Sequence, residues 1–360
     1  MKIAFLDHSY HKKTMSSLFL PALLEKKGIN VDYFWDESWN GGKHIIFDEL
    51  VDKYNTFIIW QQAPIFRKKI YSYDKNIIYI PMFDNFGCDD ELFKNRTHWR
   101  KYSGVKYLSF SKALHHVVSG YGLASKYVQY FPDPEEYKYS ANYKALNCFF
   151  WQRRPDQIDW EMIKNIIRNN KINKMHMHIT PDPGCEIVLP NKRDIKKYNI
   201  TFSEWFNSRE EYYKILKDCS VYFAPRKSEG IGMAFLEAMA MGKCIVSPDY
   251  GTMNDYICNG INGFLYDYNN PESIDLGNID SVRKNARKTI EYGYESWKKS
   301  EDEIVSYIVE DRDSVYYNMY NYKINYDELA KDDNIIVGKI KKNIRKYHSK
   351  LIKIIRANKK

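Results

Sequence analysis

Short apolar runs in this chain alternate with longer stretches in which apolar residues recur every three or four positions. KIAFLDH (2–8) is the first run, and its continuity predicts a strand buried on both faces. TMSSLFLPALLEKKG (14–28) has helical spacing, with Gly28 as a C-terminal stop, and NVDYFWD follows at once as a strand. TFIIWQ (56–61), NIIYIPMFD (76–84) and KYLSFS (106–111) predict three further strands separated by helical or loop segments. That alternation is expected of a parallel sheet covered on both faces. YFPDPEEY (130–137), with two prolines and three acids, reads as the passage out of this unit.

A second alternation starts with ALNCFFWQ (145–152) and continues through a helix over DWEMIKNIIRNN and a strand KMHMHIT to SVYFAP (220–225) and CIVSPD (244–249). Ser208 and Glu211 have capping-box spacing and mark the start of a helix REEYYKILKDC. A long helical pattern over 281–309 contains GYESWKK. No repeat of solenoid period is present, although both halves follow one βα logic. The expected class is therefore α/β with two domains, and 360 residues suffice for each to bury its own core.

Composition changes this picture in three places. No apolar run approaches the roughly 20 residues of a membrane-spanning helix, and the start turns polar at Asp7, too early for a secretory signal, so a cytosolic protein is expected. The six cysteines (88, 148, 185, 219, 244, 258) form no CxxC pair and read as buried thiols, with neither a zinc site nor a disulfide framework. His176 and His178 share one face of a strand; they could begin a metal site, but with no third ligand in view the preferred reading is a packed or pocket-lining pair. Ten Lys or Arg residues and no acid lie between Asn334 and Lys360, which leaves −1 of the +9 net charge for the rest of the chain. The body is neutral and the tail is basic.

The chemistry is concentrated in PRKSEGIGMAFLEAMAMGKCIV (225–246). Strand, glycine-containing turn and helix aim the unpaired N–H groups of a first helical turn at whatever lies outside the sheet's carboxyl edge. Gly230 and Gly232 let the backbone approach closely and the helix dipole favours an anion, so a phosphate is the natural guest. Phe235 stands where the dinucleotide fingerprint needs a third small residue. Glu237 is the only charge between Ile231 and Met241, and an unpaired ionised group in so apolar a helix would cost several kcal/mol. Ribose hydroxyls would satisfy it, and Glu229 at the turn could accept from sugar hydroxyls beside the phosphates. The alternative is a solvated Glu237 paired with Lys243 or a tail residue, and an exposed Glu229.

EGIGMAFLEAMAMGKCIVSPDYGTMNDYICNGINGFLYD resembles the signature of family 4 of the retaining nucleotide-sugar glycosyltransferases, whose GT-B architecture sets two Rossmann-like domains with parallel sheets across a central cleft. Glu229 and Glu237 match the family's two glutamates, and Gly251, Asn262 and Gly263 its later positions. The resemblance implies an acceptor domain over 1–137, a nucleotide-sugar domain over 138–280 and a crossover helix over 281–333 that packs back on the first domain, leaving the basic tail over 334–360 outside it. It implies that Glu229 holds the donor sugar, that Ser228 and the amides of Gly230, Ile231, Gly232 and Met233 meet the diphosphate and sugar oxygens, and that Glu237 holds the ribose. The chain departs from the pattern at Arg226 (usually Ser), Ile231 (usually aromatic), Thr252 (usually Gly) and Asp255 (usually Glu). The usual separated Arg and Lys are replaced by the adjacent Arg153 and Arg154.

Departure of a nucleoside diphosphate builds negative charge that fixed guanidinium groups stabilise without a metal, so Arg153, then Arg154 and Arg226, are the expected counter-charges. Asp311-Arg312-Asp313, the only strict DxD, lies in the late helical region rather than after a strand and is discounted as a metal motif. The first domain should bring the acceptor through the loop DHSYH and through Asp84, taken with Glu229 and Arg153 as the catalytic set; His8, His11 and His98 are equal candidates for a histidine near the reacting carbon. In the tail, Ile340, Ile344, Tyr347, Leu351 and Ile354 form one face of a basic amphipathic helix suited to an anionic membrane over 339–360, with a helix docked on the protein as the alternative and no nucleic-acid partner expected. The expected activity is retaining, metal-independent glycosyl transfer without a cofactor, from a nucleoside-diphosphate sugar to a hydroxyl of a lipid-linked surface glycan, at the inner face of the cytoplasmic membrane. A nucleotide-sugar epimerase and an inactive sugar-nucleotide binding protein are the alternatives.

Overall fold

Each half of the chain builds one six-stranded parallel sheet. The structure is a computed structural model and describes residues 1–86, 96–140, 145–206 and 208–321, with Tyr143 and Ile324. The first sheet comprises β1 (Lys2–His8), β2 (Asn30–Asp36), β3 (Thr56–Trp60), β4 (Asn76–Ile80), β5 (Lys106–Ser109) and β6 (Ser125–Tyr127), in the order β2-β1-β3-β4-β5-β6. The second comprises β7 (Asn147–Trp151), β8 (Lys174–His178), β9 (Ile200–Ser203), β10 (Val221–Phe223), β11 (Cys244–Pro248) and β12 (Phe264–Tyr266), in the order β12-β11-β10-β7-β8-β9. Every pairing is parallel. The strand order reverses between β1 and β3 and between β7 and β10, which opens a crevice at the carboxyl edge of each sheet. Those two crevices hold the side chains described below.

The helices that position the site are α1 (Phe19–Lys26), α2 (Lys112–Gly120), α3 (Trp160–Ile167), α4 (Arg209–Lys217), α5 (Met233–Ala240), α6 (Asp280–Val309) and α7 (Arg312–Tyr320). The α/β class holds, but several boundaries move. The helix expected from residue 14 starts at Phe19, because Met15 takes a left-handed conformation and Ser17 turns its hydroxyl onto Asp7. The strand expected to reach Asp84 stops at Ile80, ahead of Pro81, and Asp84 sits in a single 3₁₀ turn, Phe83–Phe86. Strands β6, β9 and β12, three or four residues each, are additional to those expected and lie at the sheet edges. Ser208 caps α4 as its spacing predicted.

One core cluster joins the facing layers of both domains through α1, α5 and α6, while two others fill the outer face of each sheet. α6 runs thirty residues out of the second domain and delivers its C-terminus to the first. Trp297 packs edge-on against Phe19 and Tyr130 on the way. The buried Lys106 ammonium donates to the carbonyls of Tyr307, Ile308 and Glu310 and so satisfies the open end of α6. Arg287 ties the interdomain passage to α6 through the carbonyls of Pro134 and Tyr137. Asp311 caps α7, so Asp311-Arg312-Asp313 is a helix start. Of the cysteines, 148, 219 and 244 are buried as expected; Cys185 is half-buried and Cys258 exposed, which corrects the reading for those two, and Cys88 lies outside the described residues. The proposed membrane face, 339–360, also lies outside them.

Candidate active site

The loop from β10 to α5 carries the glutamates. Gly232 precedes α5 at φ 85°, and no side chain caps the first turn of the helix, whose opening N–H groups lack helical acceptors. The Phe235 ring folds back onto Gly232, where a Cβ would lie 1.9 Å from it, so position 232 has no room for a side chain. At Gly230 a Cβ would meet Met82 Sδ at 2.8 Å and Asp84 Oδ1 at 3.1 Å. The glycine therefore lets the two domains touch at this loop. Ser228, Glu229 and Ile231 are buried, and Met233 is half-buried.

Glu229 lies in a charge cluster that spans the domains. Arg226 reaches Asp84 Oδ2 (2.7 Å) through Nη1, Asp182 Oδ2 (3.0 Å) through Nη2, and Glu229 Oε2 at 3.7 Å. Arg153 Nε donates to the other Asp182 oxygen at 2.7 Å. Burial pushes the Glu229 carboxyl upward, against the opposing pull of Arg226 and Arg153. Arg154 is turned aside, its fork closed on Asp156 two residues along. Thr252 stands where the resembling family has glycine, and it adopts glycine's backbone, φ 63°, while its hydroxyl holds the Glu229 carbonyl at 2.5 Å. Asp255 accepts from the first amide of α2, joining the domains at a second point. Asp182 was not singled out from sequence. The available signal was a PDPG turn directly after a strand of the second sheet.

Glu237 is buried in α5, and its partners among the described residues come from α4 and do not include Lys243. Oε1 meets Arg209 Nη2 at 2.5 Å and Oε2 accepts from Tyr213 at 3.3 Å, both from α4. Lys243 is instead enclosed by the Tyr143 hydroxyl and the carbonyls of Lys217 and Cys219. His176 bonds to Thr201 and Ser203, and His178 to the same Ser203, while Phe206 stacks on His178 at 4.7 Å. Burial drives both histidines down to about 4, so the pair is neutral and packed.

The first domain contributes the end of β1. Asp7 is buried and holds His11 Nδ1 (2.8 Å), the Ser17 hydroxyl (2.6 Å) and the His8 amide (2.7 Å). Asp7, His8 and His11 are the group of possible metal ligands among the described residues, with ligand atoms within 4.8 Å of one another. His8 Nε2 meets Gln61 Oε1 at 3.1 Å, and Gln61 in turn donates to Asn85. His98 lies among Phe86, Trp99 and Tyr102, apart from this edge. Lys13 crosses the cleft to sit over Trp205 of the second domain, 3.6 Å from the ring centroid.

Two Rossmann-like parallel sheets meeting at a cluster of two arginines and three carboxylates have the GT-B architecture. Residues 192–296, which hold both glutamates, match the family described as Glycosyl transferases group 1. An uncharacterized glycosyltransferase of Methanocaldococcus jannaschii is 29% identical over 109 residues, 29% of this chain and 31% of the relative. A second from the same organism is 30% identical over 163 residues, 39% of this chain and 40% of the relative. The chain thus spans less than half the length of either curated relative. Anabaena HepE, solved with UDP-glucose, shares the fold with a TM-score of 0.56 and 16% identity, over 85% of this chain and 99% of that one. The match to the group 1 glycosyl transferases thus covers residues 192–296, on a frame that shares the GT-B fold.

Proposed function

We propose that the protein is a retaining glycosyltransferase that takes a sugar from a nucleoside diphosphate and delivers it to a hydroxyl of a glycan. The observation that carries this reading is the convergence of Glu229, Arg226 and Arg153 with the uncapped start of α5 at the domain junction. Arg153 and Arg226 exchange Asp182 for the diphosphate, and the amides of residues 230–233 and Ser228 complete its cradle. Glu229 accepts from donor-sugar hydroxyls. Glu237 accepts from the ribose once Arg209, 61% exposed along its side chain, swings out toward water. The C1–O bond to the β-phosphate breaks and a C1–O bond to the acceptor oxygen forms on the same face. The acceptor's proton passes to the departing phosphate oxygen. Guanidinium groups carry the charge neutralisation, so the reaction calls for no metal.

The test is a panel of UDP- and GDP-sugars read by thermal shift, with UDP-glucose first because HepE was solved with it. Glu237→Ala should weaken the nucleotide-induced shift, whereas Glu229→Ala should chiefly lower the transfer rate. Proton NMR of the product should give the donor's own anomeric configuration. Full activity in both variants refutes the assignment, and a C-epimerised nucleotide sugar would favour an epimerase. The sequence of 339–360 supports a lipid-linked acceptor reached from an anionic membrane. Equal sedimentation with anionic vesicles of the full chain and a chain ending at Asp333 would refute that part.

A further inference from the structure

Resting on the transferase reading, we infer that His8, Tyr10 and Trp39 form the subsite that holds the acceptor's sugar ring, with His8 Nδ1 receiving the hydrogen bond of a ring hydroxyl. Three rings leave the cleft in sequence. His8 and Tyr10 lie nearly parallel, 21° apart with centroids at 6.5 Å, and Tyr10 meets Trp39 edge-on at 5.3 Å. The inner end belongs to the site already described, because Tyr10 is within electrostatic reach of Arg153, Asp182 and Arg226. The outer end opens to solvent, with Trp39 41% exposed.

Exposure alone would mean little, but Trp39 is held. Its indole N–H donates to Ser9 Oγ at 2.8 Å, and its 3₁₀ turn hangs from the buried Asp36 carboxylate, which accepts from the amides of Ser38 and Ile45. Gln62 adds a hydrogen bond to Ser38 Oγ. A large ring fixed in an exposed position keeps a flat, electron-rich face ready, and binding then costs little rotamer freedom. The C–H face of a pyranose, its carbons made partly positive by their oxygens, fits such a face.

The second, independent observation is at His8. Gln61 uses its amide N–H on Asn85, so its carbonyl faces His8 Nε2, which must carry the proton. His8 Nδ1 is then a bare acceptor, and it is buried with no hydrogen-bond partner. Gln61 is held at φ 60°, a conformation few non-glycine residues adopt, and it serves this hydrogen bond. A buried lone pair beside a row of ring faces is the arrangement of a saccharide pocket, in which stacking supplies affinity and one polar atom sets orientation.

The test uses the full chain saturated with whichever nucleotide the thermal-shift panel selects. Methyl α- and β-pyranosides of glucose, galactose and mannose are titrated by saturation-transfer NMR. At least one should bind with its strongest signals on C–H protons of a single ring face. Trp39→Ala and Tyr10→Ala should each weaken that glycoside about tenfold or less, the loss of one aromatic contact. His8→Phe, which keeps the stacking but loses the lone pair, should weaken it as well, and in the transfer assay all three should raise the acceptor KM rather than the donor KM. Unchanged glycoside binding in the variants overturns the inference, as does a nucleotide-bound wild type that binds none of the six. If no nucleotide sugar shifts the melting temperature, the transferase reading itself falls.

Discussion

Glu229 shows how much local structure one functional side chain needs. It is buried, so its charged form is costly, and Arg226, Arg153 and the Thr252 hydroxyl on its own carbonyl hold it in place. Thr252 does this at φ 63°, where the resembling family has glycine, so strain is accepted for the sake of one hydroxyl. The two effects separate by substitution. Thr252→Ala keeps the strained backbone and leaves a buried carbonyl without its donor, and should cost about 1–3 kcal/mol. Thr252→Gly loses the same hydrogen bond but relieves the backbone, and should be less destabilising than Ala by about 1 kcal/mol in urea denaturation. Equal losses would mean that the backbone there is not strained. Glu237 illustrates what sequence alone could show: its need for a partner was legible from the apolar helix around it, whereas Arg209 and Tyr213 lie on another helix that only the fold brings alongside.

At the scale of elements, the buried strands announced themselves by continuous apolar runs, and the β10–turn–α5 unit by its glycines. What was not legible depends on pairing across long separations. β6, β9 and β12 are edge strands, each defined by the ladder that a single neighbouring strand supplies. Asp182 and Trp39 likewise gain meaning only where a loop meets the cleft. α5 itself offers a sharp test. Gly232→Ala must place a methyl at a positive φ and into the Phe235 ring, so it should cost roughly 2–4 kcal/mol. Phe235→Ala, which empties a buried site, should cost roughly 3–5 kcal/mol. The double variant should be less destabilised than the two losses added, because removing the ring also removes the collision. Additive losses in a double-mutant cycle would show that the ring does not press on Gly232.

For the whole molecule, the two domains are bound together by the end of α6 as well as by the cleft. Lys106 on β5 holds three carbonyls there, and Lys243 at the head of β11 holds the passage around Tyr143, Lys217 and Cys219. Both amines are buried, and burial pushes each pKa down to about 7. The unfolded chain would keep those lysines protonated to their ordinary value near 10.4. Between about pH 7 and 10 the unfolded state therefore binds more protons than the folded one, so stability rises with pH, by up to about 1.4 kcal/mol per pH unit for each lysine. Below pH 7 both states are protonated and the dependence on these groups vanishes. Above pH 10 the buried tyrosines, whose folded pKa values are raised, reverse the trend as the unfolded chain loses their protons first. The melting temperature should thus climb from pH 7 to about 9.5 and then fall. Lys106→Met removes one titrating group and leaves the end of α6 uncapped; it should lower the melting temperature and flatten the climb by about half, with the other half remaining until Lys243→Met is added. A melting temperature that is level from pH 7 to 9.5 in the wild type would mean that these ammonium groups keep their protons in the folded protein, held by the carbonyls around them.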